Sequence, residues 1–140
     1  AKKRLPPLSL GNSRSVHEGE DVAYTGYPIG LVLGLNPTTH TGIVSAISPI
    51  MLPSPTTKAI KNRHLEFLRN PYDIYQIDGT AFPGNSGSPV YRKGSGEVIG
   101  VINMVFVKDK KENLLKEPTG ITYAIPVDHV KALLQKALEP

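Results

Sequence analysis

The chain has 140 residues and a net charge of +4, which fits one domain and excludes the dense positive surface of a dedicated nucleic-acid-binding protein. It contains no cysteine, which excludes disulfides, thiolate zinc sites and a cysteine nucleophile. Its 13 glycines and 13 prolines predict many turns, and no apolar run approaches the length of about 20 residues that a membrane-spanning helix needs. We therefore expect a single turn-rich domain without a membrane span.

Six short runs predict β-strands, because each combines β-branched residues and partial apolar/polar alternation with glycine or proline nearby. These runs are residues 21–27, 39–48, 73–78, 88–92, 97–107 and 121–125. Turn residues separate the runs, which favours an all-β antiparallel sandwich or barrel. Gly87 and Gly100 lie inside or beside these runs and predict bulges or a close approach of two backbones.

Two stretches lack the strand pattern and are predicted to be loops. Residues 49–72 contain four prolines, and residues 108–118 are rich in charge. A basic surface formed by Lys108, Lys110 and Lys111 would bind nucleic acid or anionic lipid, but acidic residues in the same loop neutralise much of that charge. We therefore interpret this loop as a solvent-exposed charged surface and not as a binding site.

The C-terminal residues follow a helical pattern. Apolar side chains recur at the spacing of one helical face, at Val130, Leu133, Leu134, Ala137 and Leu138. Asp128 comes shortly after Pro126 and is the predicted N-cap. We expect one helix of about ten residues here, with its apolar stripe packed against the β domain.

Residues 82–89 (Phe-Pro-Gly-Asn-Ser-Gly-Ser-Pro) are the most unusual segment. The turn residues would present the Ser86 hydroxyl on a bend, and Gly84 can bring a bare N–H close to a ligand. Two convergent N–H groups beside a nucleophile would form an oxyanion hole. The alternative is a plain turn between two strands, which composition alone favours. A nucleophile elbow of the α/β-hydrolase kind is excluded, because residues 89–91 continue as a strand and not as a helix.

The order of several short motifs along the chain decides between these alternatives. They include Pro-Gly-Asn-Ser-Gly and Tyr-Ala-Ile-Pro, and they stand at residues 19–28, 41–46, 76–79, 83–87, 96–103 and 123–126. Together they resemble the second half of a trypsin-like (chymotrypsin-fold) serine protease, closest to the HtrA/Deg type, over roughly residues 8–138. The resemblance implies a six-stranded antiparallel Greek-key barrel over residues 1–126, followed by a C-terminal helix packed on it over residues 127–140.

The resemblance also implies roles for individual residues. Ser86 corresponds to the acyl-forming nucleophile, and the backbone N–H groups of Gly84 and Ser86 correspond to the oxyanion hole. The residues that it places against a protein or peptide substrate are Asn103, Met104 and Val105 on an edge strand, and Thr80 and Thr122 in the primary specificity pocket. The Thr122 methyl would narrow that pocket and favour small or medium apolar side chains at the cleaved residue. No metal or other cofactor is implied.

Two features depart from the family pattern. Ser88 stands where the family usually has glycine. The catalytic His and Asp of the family lie in a first barrel, which the resemblance places upstream of Lys2. We therefore expect the chain alone to be inactive and to need that N-terminal barrel as its partner. Without the partner, we expect the exposed apolar face to promote homodimerisation or strand exchange through residues 1–10.

The histidines of the chain offer a local alternative. His40 with Asp73 or Asp78 would give the order His–Asp–Ser, but His40 lies in a run matched to a non-catalytic strand, so we expect no local triad. The remaining histidines lack a metal-ligand spacing with a carboxylate and are expected at the surface; they are His17, His64 and His129.

The sequence thus favours a serine endopeptidase, present here as its C-terminal part. The alternative is a non-catalytic, protease-like module that binds peptides along residues 103–105. The intact Pro-Gly-Asn-Ser-Gly turn favours the enzyme, because a binding role does not need the serine hydroxyl. The sequence does not identify the cellular compartment, although the absence of cysteine is compatible with a periplasmic or secreted protease.

Overall fold

The computed structural model describes residues 5–28, 34–49, 71–103 and 119–139. Within these ranges the chain forms six strands, a one-turn 3-10 helix and one α-helix. The strands are β1 (Asp21–Gly26), β2 (Thr38–Pro49), β3 (Asp73–Ala81), β4 (Pro89–Arg92), β5 (Val98–Ile102) and β6 (Thr119–Pro126). The 3-10 helix is Ser13–Ser15, and the α-helix, α1, is Val127–Leu138.

The six strands close into one antiparallel barrel with the neighbour order β1-β2-β3-β6-β5-β4. The prediction of a six-stranded antiparallel barrel followed by a C-terminal helix is therefore confirmed, and a sandwich is excluded. β3 and β4 are consecutive in the chain but are not neighbours in the barrel. The connection between them, residues 82–88, crosses from one part of the barrel to another and carries Ser86.

The barrel interior follows from the alternation of side chains along each strand. In β1, Val22 and Tyr24 are fully buried, and in β3 Ile77 is buried in the same way. These side chains belong to one core cluster, whose other buried members are Val16, Val44, Tyr75, Val90, Ile99, Ile102 and Ala124. Each such aliphatic side chain contributes about 1.5–3 kcal/mol through the removal of apolar surface from water, so the barrel has a core of its own.

Glycine permits two close approaches of neighbouring strands. A Cβ at Gly42 in β2 would lie 2.5 Å from the carbonyl oxygen of Asp78 in β3. A Cβ at Gly100 in β5 would lie 2.9 Å from the carbonyl oxygen of Ile125 in β6. Side chains at these positions would force the strands apart, so the close backbone approach predicted at Gly100 is confirmed.

The N-terminal segment is attached to the barrel beside β5. Leu10 pairs with Val98 in a parallel bridge. The Gly11 N–H donates to the Val98 carbonyl at 2.8 Å, and the Val98 N–H donates to the Ser9 carbonyl at 2.8 Å. The pairing of β6 with β5 reaches Gly100, which lies opposite Pro126. The N-terminal segment pairs with β5 beyond that point, at Val98.

Arg92 at the end of β4 fastens the same segment from the side. Its guanidinium donates to Glu20, to the Glu97 carboxylate at 2.9 Å and to the Ser15 hydroxyl at 2.9 Å. The hydrogen bond with Glu20 raises the pKa of Arg92 above its ordinary value, although burial acts in the opposite direction. The result is an ion-pair network between the N-terminal segment and the β4–β5 hairpin.

The start of α1 differs from the prediction. Pro126 occupies the N-cap position and makes no side-chain cap bond, so Asp128 lies in the first turn and the prediction of Asp128 as N-cap was wrong. The Asp128 N–H instead donates to the Ser13 hydroxyl at 3.1 Å. The physical reason is that β6 runs directly into the helix, so the helix begins two residues earlier than an Asp128 cap implies, and its first turn is capped by a distant segment.

The apolar stripe of α1 is covered only at its beginning. Val127 is buried, whereas Leu133, Leu134 and Leu138 are 68%, 48% and 83% exposed. The expectation that the whole stripe packs on the barrel was therefore wrong, because the helix meets β5 and β6 near its first turn. Among the helices in the described ranges, none is long and apolar enough to cross a membrane.

Candidate active site

Two tight hydrogen bonds shape the loop that carries Ser86. The Asn85 N–H donates to the Phe82 carbonyl at 3.0 Å, and the Ser88 N–H donates to the Asn85 carbonyl at 3.0 Å. Gly84 and Gly87 have φ values of 103° and 88°. L side chains rarely adopt this backbone region, so glycine at both positions is what allows the loop to turn twice within five residues.

The loop presents Ser86 to solvent. Ser86 and Gly84 are exposed, and within the described residues neither backbone N–H donates a hydrogen bond. The C-terminal side of the loop is fastened to β5, because the Gly87 N–H donates to the Ile102 carbonyl at 2.9 Å. The Ile102 N–H in turn donates to the Ser88 carbonyl at 2.9 Å. An exposed hydroxyl therefore stands beside two backbone donors that can bind an anion.

Asn85 lies between these two donors and points inward. Its side chain is fully buried, and neither its Nδ2 nor its Oδ1 finds a hydrogen-bond partner in the part of the chain that is described. The amide packs against Gly26 at the end of β1, where a Cβ would lie 2.7 Å from Asn85 Oδ1 and would overlap the Ser88 hydroxyl. Ser88, which stands where the resemblance predicts glycine, is buried.

The two threonines assigned to the specificity pocket occupy different environments. Thr80 is exposed, whereas Thr122 is 2% exposed and its hydroxyl donates to the Gly79 carbonyl at 2.8 Å. The Tyr24 hydroxyl donates to the Thr80 carbonyl at 2.6 Å. Burial raises the pKa of Tyr24, and the neighbouring Thr122 hydroxyl opposes this effect. A direct contact of Thr122 with substrate stays a prediction.

The remaining residues that the resemblance assigns to substrate binding are only partly described. Asn103 follows β5, and its N–H donates to the Tyr123 carbonyl of β6 at 2.8 Å. Met104 and Val105 lie outside the described residues, so the edge strand that they were predicted to form is not seen. The charged loop with Lys108, Lys110 and Lys111, and also His64, lies outside them as well.

His40 in β2 is half-buried between two aromatic side chains. Its ring stacks on Tyr24 at a centroid distance of 5.5 Å and contacts the Phe82 ring at 5.8 Å. His40 Nε2 is buried without a hydrogen-bond partner among the described residues, and no hydrogen bond joins His40 to Ser86 there. His17 and His129 are exposed.

Within the same ranges, no group of three or more His, Asp and Glu side chains could hold a metal ion. Sequence reasoning missed Tyr24 and Gly26 as residues that support the loop. A tyrosine at a buried strand position was a usable signal, because its hydroxyl needs a hydrogen-bond partner.

The chain is similar to known proteins over most of its length. A family model described as Trypsin-like peptidase domain matches residues 1–101. Mitochondrial serine protease HTRA2 of Drosophila persimilis is 33% identical over 135 residues, which cover 96% of this chain and 25% of that protein. Serine protease HTRA3 of Homo sapiens is 35% identical over 133 residues, which cover 95% of this chain and 23% of that protein. The chain therefore spans about a quarter of the length of these relatives.

Solved structures agree with these sequence relatives. HtrA-type protease AlgW with a tripeptide matches with a TM-score of 0.66 and 25% identity, over 99% of this chain and 38% of that one. The same protease with a decapeptide matches with a TM-score of 0.62 and 25% identity, over 96% of this chain and 34% of that one. Since the family model covers more than half of the residues and the barrel agrees, the chain belongs to the trypsin-like peptidase domain family and is of the HtrA type.

Proposed function

We propose that this chain carries the nucleophile of a serine endopeptidase. The observation that supports this best is the exposed Ser86 beside the unoccupied N–H groups of Gly84 and Ser86. In the proposed reaction, Ser86 Oγ bonds to the carbonyl carbon of the scissile peptide and the C–N bond breaks, which leaves an acyl-enzyme that water then hydrolyses. The two N–H groups stabilise the oxyanion that forms in each step.

The proton of Ser86 needs an acceptor, because a serine hydroxyl near neutral pH is a poor nucleophile without a general base. In the described part of the chain, no histidine forms a hydrogen bond with Ser86: His40 Nε2 is buried without a partner there, and His17 and His129 are exposed. We assign the base and its orienting carboxylate to residues outside the described ranges, in the N-terminal barrel that the resemblance implies. On this account the base takes the Ser86 proton and returns it to the leaving amine, and the isolated chain is inactive.

The proposed substrate is a protein or peptide bound in extended form. One solved HtrA-type relative was obtained with a tripeptide and with a decapeptide, which supports the same class of ligand for this chain. Addition of the peptide backbone along residues 103–105 would bind it by β-strand pairing. We propose a preference for small or medium apolar side chains at the cleaved residue. Cleavage of a peptide library by the full-length protein mainly after Arg or Lys would contradict that preference.

The direct test is labelling with a fluorophosphonate, which reacts with activated serine hydroxyls. We expect labelling of the full-length protein and none of the 140-residue chain. Ser86→Ala should abolish labelling, whereas Ser95→Ala, an exposed serine in the β4–β5 turn, should leave it unchanged. A full-length protein that binds peptides but is never labelled would instead be the non-catalytic peptide-binding module.

The isolated chain should also associate with itself when its partner barrel is absent. Large apolar side chains are exposed at Leu5, Leu8, Leu133, Leu134 and Leu138, and such surface tends to be covered by association. The N-terminal segment, which pairs with β5 of its own chain through Leu10, offers a strand that two copies can exchange. Light scattering should give the mass of a dimer, and a uniform monomer at high concentration would contradict this proposal.

A further inference from the structure

The backbone bulges immediately before the Ser86 loop. The pairing of β3 with β6 runs in register up to Asp78 and then shifts before Ala81. Gly79 and Thr80 form this irregularity, and the Thr80 side chain is exposed there. By the resemblance described above, this is also the place at which the side chain of the cleaved residue is bound. The groups that fix the backbone of this bulge therefore determine how it contacts the side chain of the cleaved residue.

Two buried hydroxyls reach the bulge from inside the barrel. Tyr24 donates to the Thr80 carbonyl at 2.6 Å, and Thr122 donates to the preceding carbonyl, that of Gly79, at 2.8 Å. Tyr24 is fully buried and Thr122 is 2% exposed. Both donor side chains are therefore shielded from water, and a hydrogen bond is stronger in a low-dielectric environment than in water.

The bulge has little freedom to move toward the interior. A Cβ at Gly79 would lie 3.1 Å from the Tyr24 hydroxyl and 3.2 Å from the Thr41 carbonyl oxygen. The backbone at Gly79 is therefore packed against β2 and against the Tyr24 hydroxyl. With both carbonyls fixed from inside, the direction of the exposed Thr80 side chain is fixed as well.

We propose that Tyr24 and Thr122 are positioning residues that set substrate selectivity by holding the two carbonyls of the Gly79–Thr80 bulge. Thr122 acts through its hydroxyl and not by filling the pocket with its methyl group. Thr80 is the residue that meets the side chain of the cleaved residue. This inference rests on the proposed function, because it assigns the selectivity of the same site.

A pair of substitutions separates the hydroxyl of Thr122 from its methyl group. Thr122→Val in the full-length protein keeps the shape and removes the donor, whereas Thr122→Ser keeps the donor and removes the methyl. Thr25→Val is the matched control, because the Thr25 hydroxyl bonds to Thr39 and Tyr91 on the outer face of the barrel. The readouts are the ratio of kcat/KM between peptides with Ala and with Leu at the cleaved residue, and the rate of labelling by a fluorophosphonate without such a side chain.

We expect Thr122→Val to change the selectivity ratio about fivefold, the size that the loss of one buried hydrogen bond implies. The selectivity ratios of Thr122→Ser and Thr25→Val should stay within about twofold of that of the unmodified protein, because both variants keep the hydrogen bonds to the bulge. Labelling of Ser86 should be unchanged in Thr25→Val, and in Thr122→Val the selectivity ratio should change by more than the labelling rate does. Tyr24→Phe removes the donor to the other carbonyl and should shift the ratio as well, so the test survives if Thr122→Val does not fold.

Three outcomes would overturn the inference. A ratio altered by Thr122→Ser but not by Thr122→Val would show that the methyl fills the pocket. Equal losses in both peptides and in labelling would show a general structural role. Unchanged ratios in Thr122→Val and Tyr24→Phe would show no role in selectivity. If instead the unmodified full-length protein neither cleaves peptides nor is labelled, the proposed function itself fails, whatever the variants do.

Discussion

Gly26 lies where the end of β1 meets the inner side of the Ser86 loop, and it leaves no space for a methyl group. A Cβ there would be 2.7 Å from Asn85 Oδ1 and would overlap the Ser88 hydroxyl. We predict that Gly26→Ala destabilises the protein by about 1–3 kcal/mol through overpacking. Denaturant unfolding would measure this as a lower midpoint.

The Ser88 hydroxyl allows a control for this prediction. Ser88→Gly restores the residue that the family usually has and removes one of the two obstacles, so it should recover part of the stability lost by Gly26→Ala. Gly19→Ala, at a glycine with no atom within 4 Å of its Cβ position but a φ of 85°, shows the cost of backbone strain alone. An unfolding midpoint for Gly26→Ala equal to that of the unmodified protein would contradict the packing that we describe.

The buried tyrosines predict how stability depends on pH. Burial raises the pKa of Tyr24 and of Tyr75 above the ordinary value of 10.0. The folded state therefore keeps these phenol protons at a pH at which the unfolded chain has begun to lose them. The free energy of unfolding should be unaffected by these groups below pH 10 and should fall as the pH rises above it.

Thermal unfolding between about pH 8 and about pH 11 checks this, because the range spans the ordinary tyrosine pKa. Tyr24→Phe should reduce the alkaline loss of stability, since it removes one of the two titrating groups. Tyr27→Phe is the matched control, because Tyr27 is exposed. A steeper alkaline loss in Tyr24→Phe than in the unmodified protein would contradict the prediction.

At the scale of the elements, the strands were predictable because their signals are local. Alternation along 73–78 and glycine or proline at the ends of the runs gave strand limits within a few residues of those in the structure, as for β3 (Asp73–Ala81) and β4 (Pro89–Arg92). The start of α1 was not predictable in this way. Its cap comes from Ser13, which lies 115 residues earlier in the chain, and no local pattern carries that contact.

In the candidate site, too, features that depend on local sequence were predictable, and contacts between distant strands were not. The turn around Ser86 could be located from sequence, because Gly84 and Gly87 are needed for its positive φ values. The hydrogen bonds from Tyr24 and Thr122 join strands far apart in the chain and appear only once the barrel closes. The exposure of the α1 stripe likewise depends on how β6 leads into the helix, which periodicity does not reveal.

The cap of α1 gives a prediction at this scale. Ser13→Ala removes the hydroxyl that accepts the Asp128 N–H and should cost about 1 kcal/mol, as the loss of an N-cap does. Asp128→Ala keeps that backbone donor. It removes a favourable charge near the helix N-terminus and the carboxylate that accepts the Ser13 N–H at a long 3.5 Å, so it should cost about 0.5 kcal/mol. Unfolding midpoints of the two variants decide the order, and a larger loss from Asp128→Ala would support the cap that the sequence suggested.

At the scale of the whole molecule, the closed barrel supports the Ser86 loop. Each strand is hydrogen-bonded to two neighbours, so no strand of the barrel lacks a partner. The Ser86 loop is fastened to β5 through Gly87 and Ser88. On the proposed account, the barrel supplies the nucleophile and the two oxyanion donors, and the general base comes from outside the described residues.

The most direct measurement of this account is the site of covalent modification. The full-length protein is treated with a fluorophosphonate and digested, and tandem mass spectrometry then locates the adduct within residues 82–92. Ser86 and Ser88 both lie in this stretch, and only Ser86 is exposed. The account predicts a single adduct on Ser86. An adduct on Ser88 or on a serine outside the stretch, or no adduct at all, would contradict it.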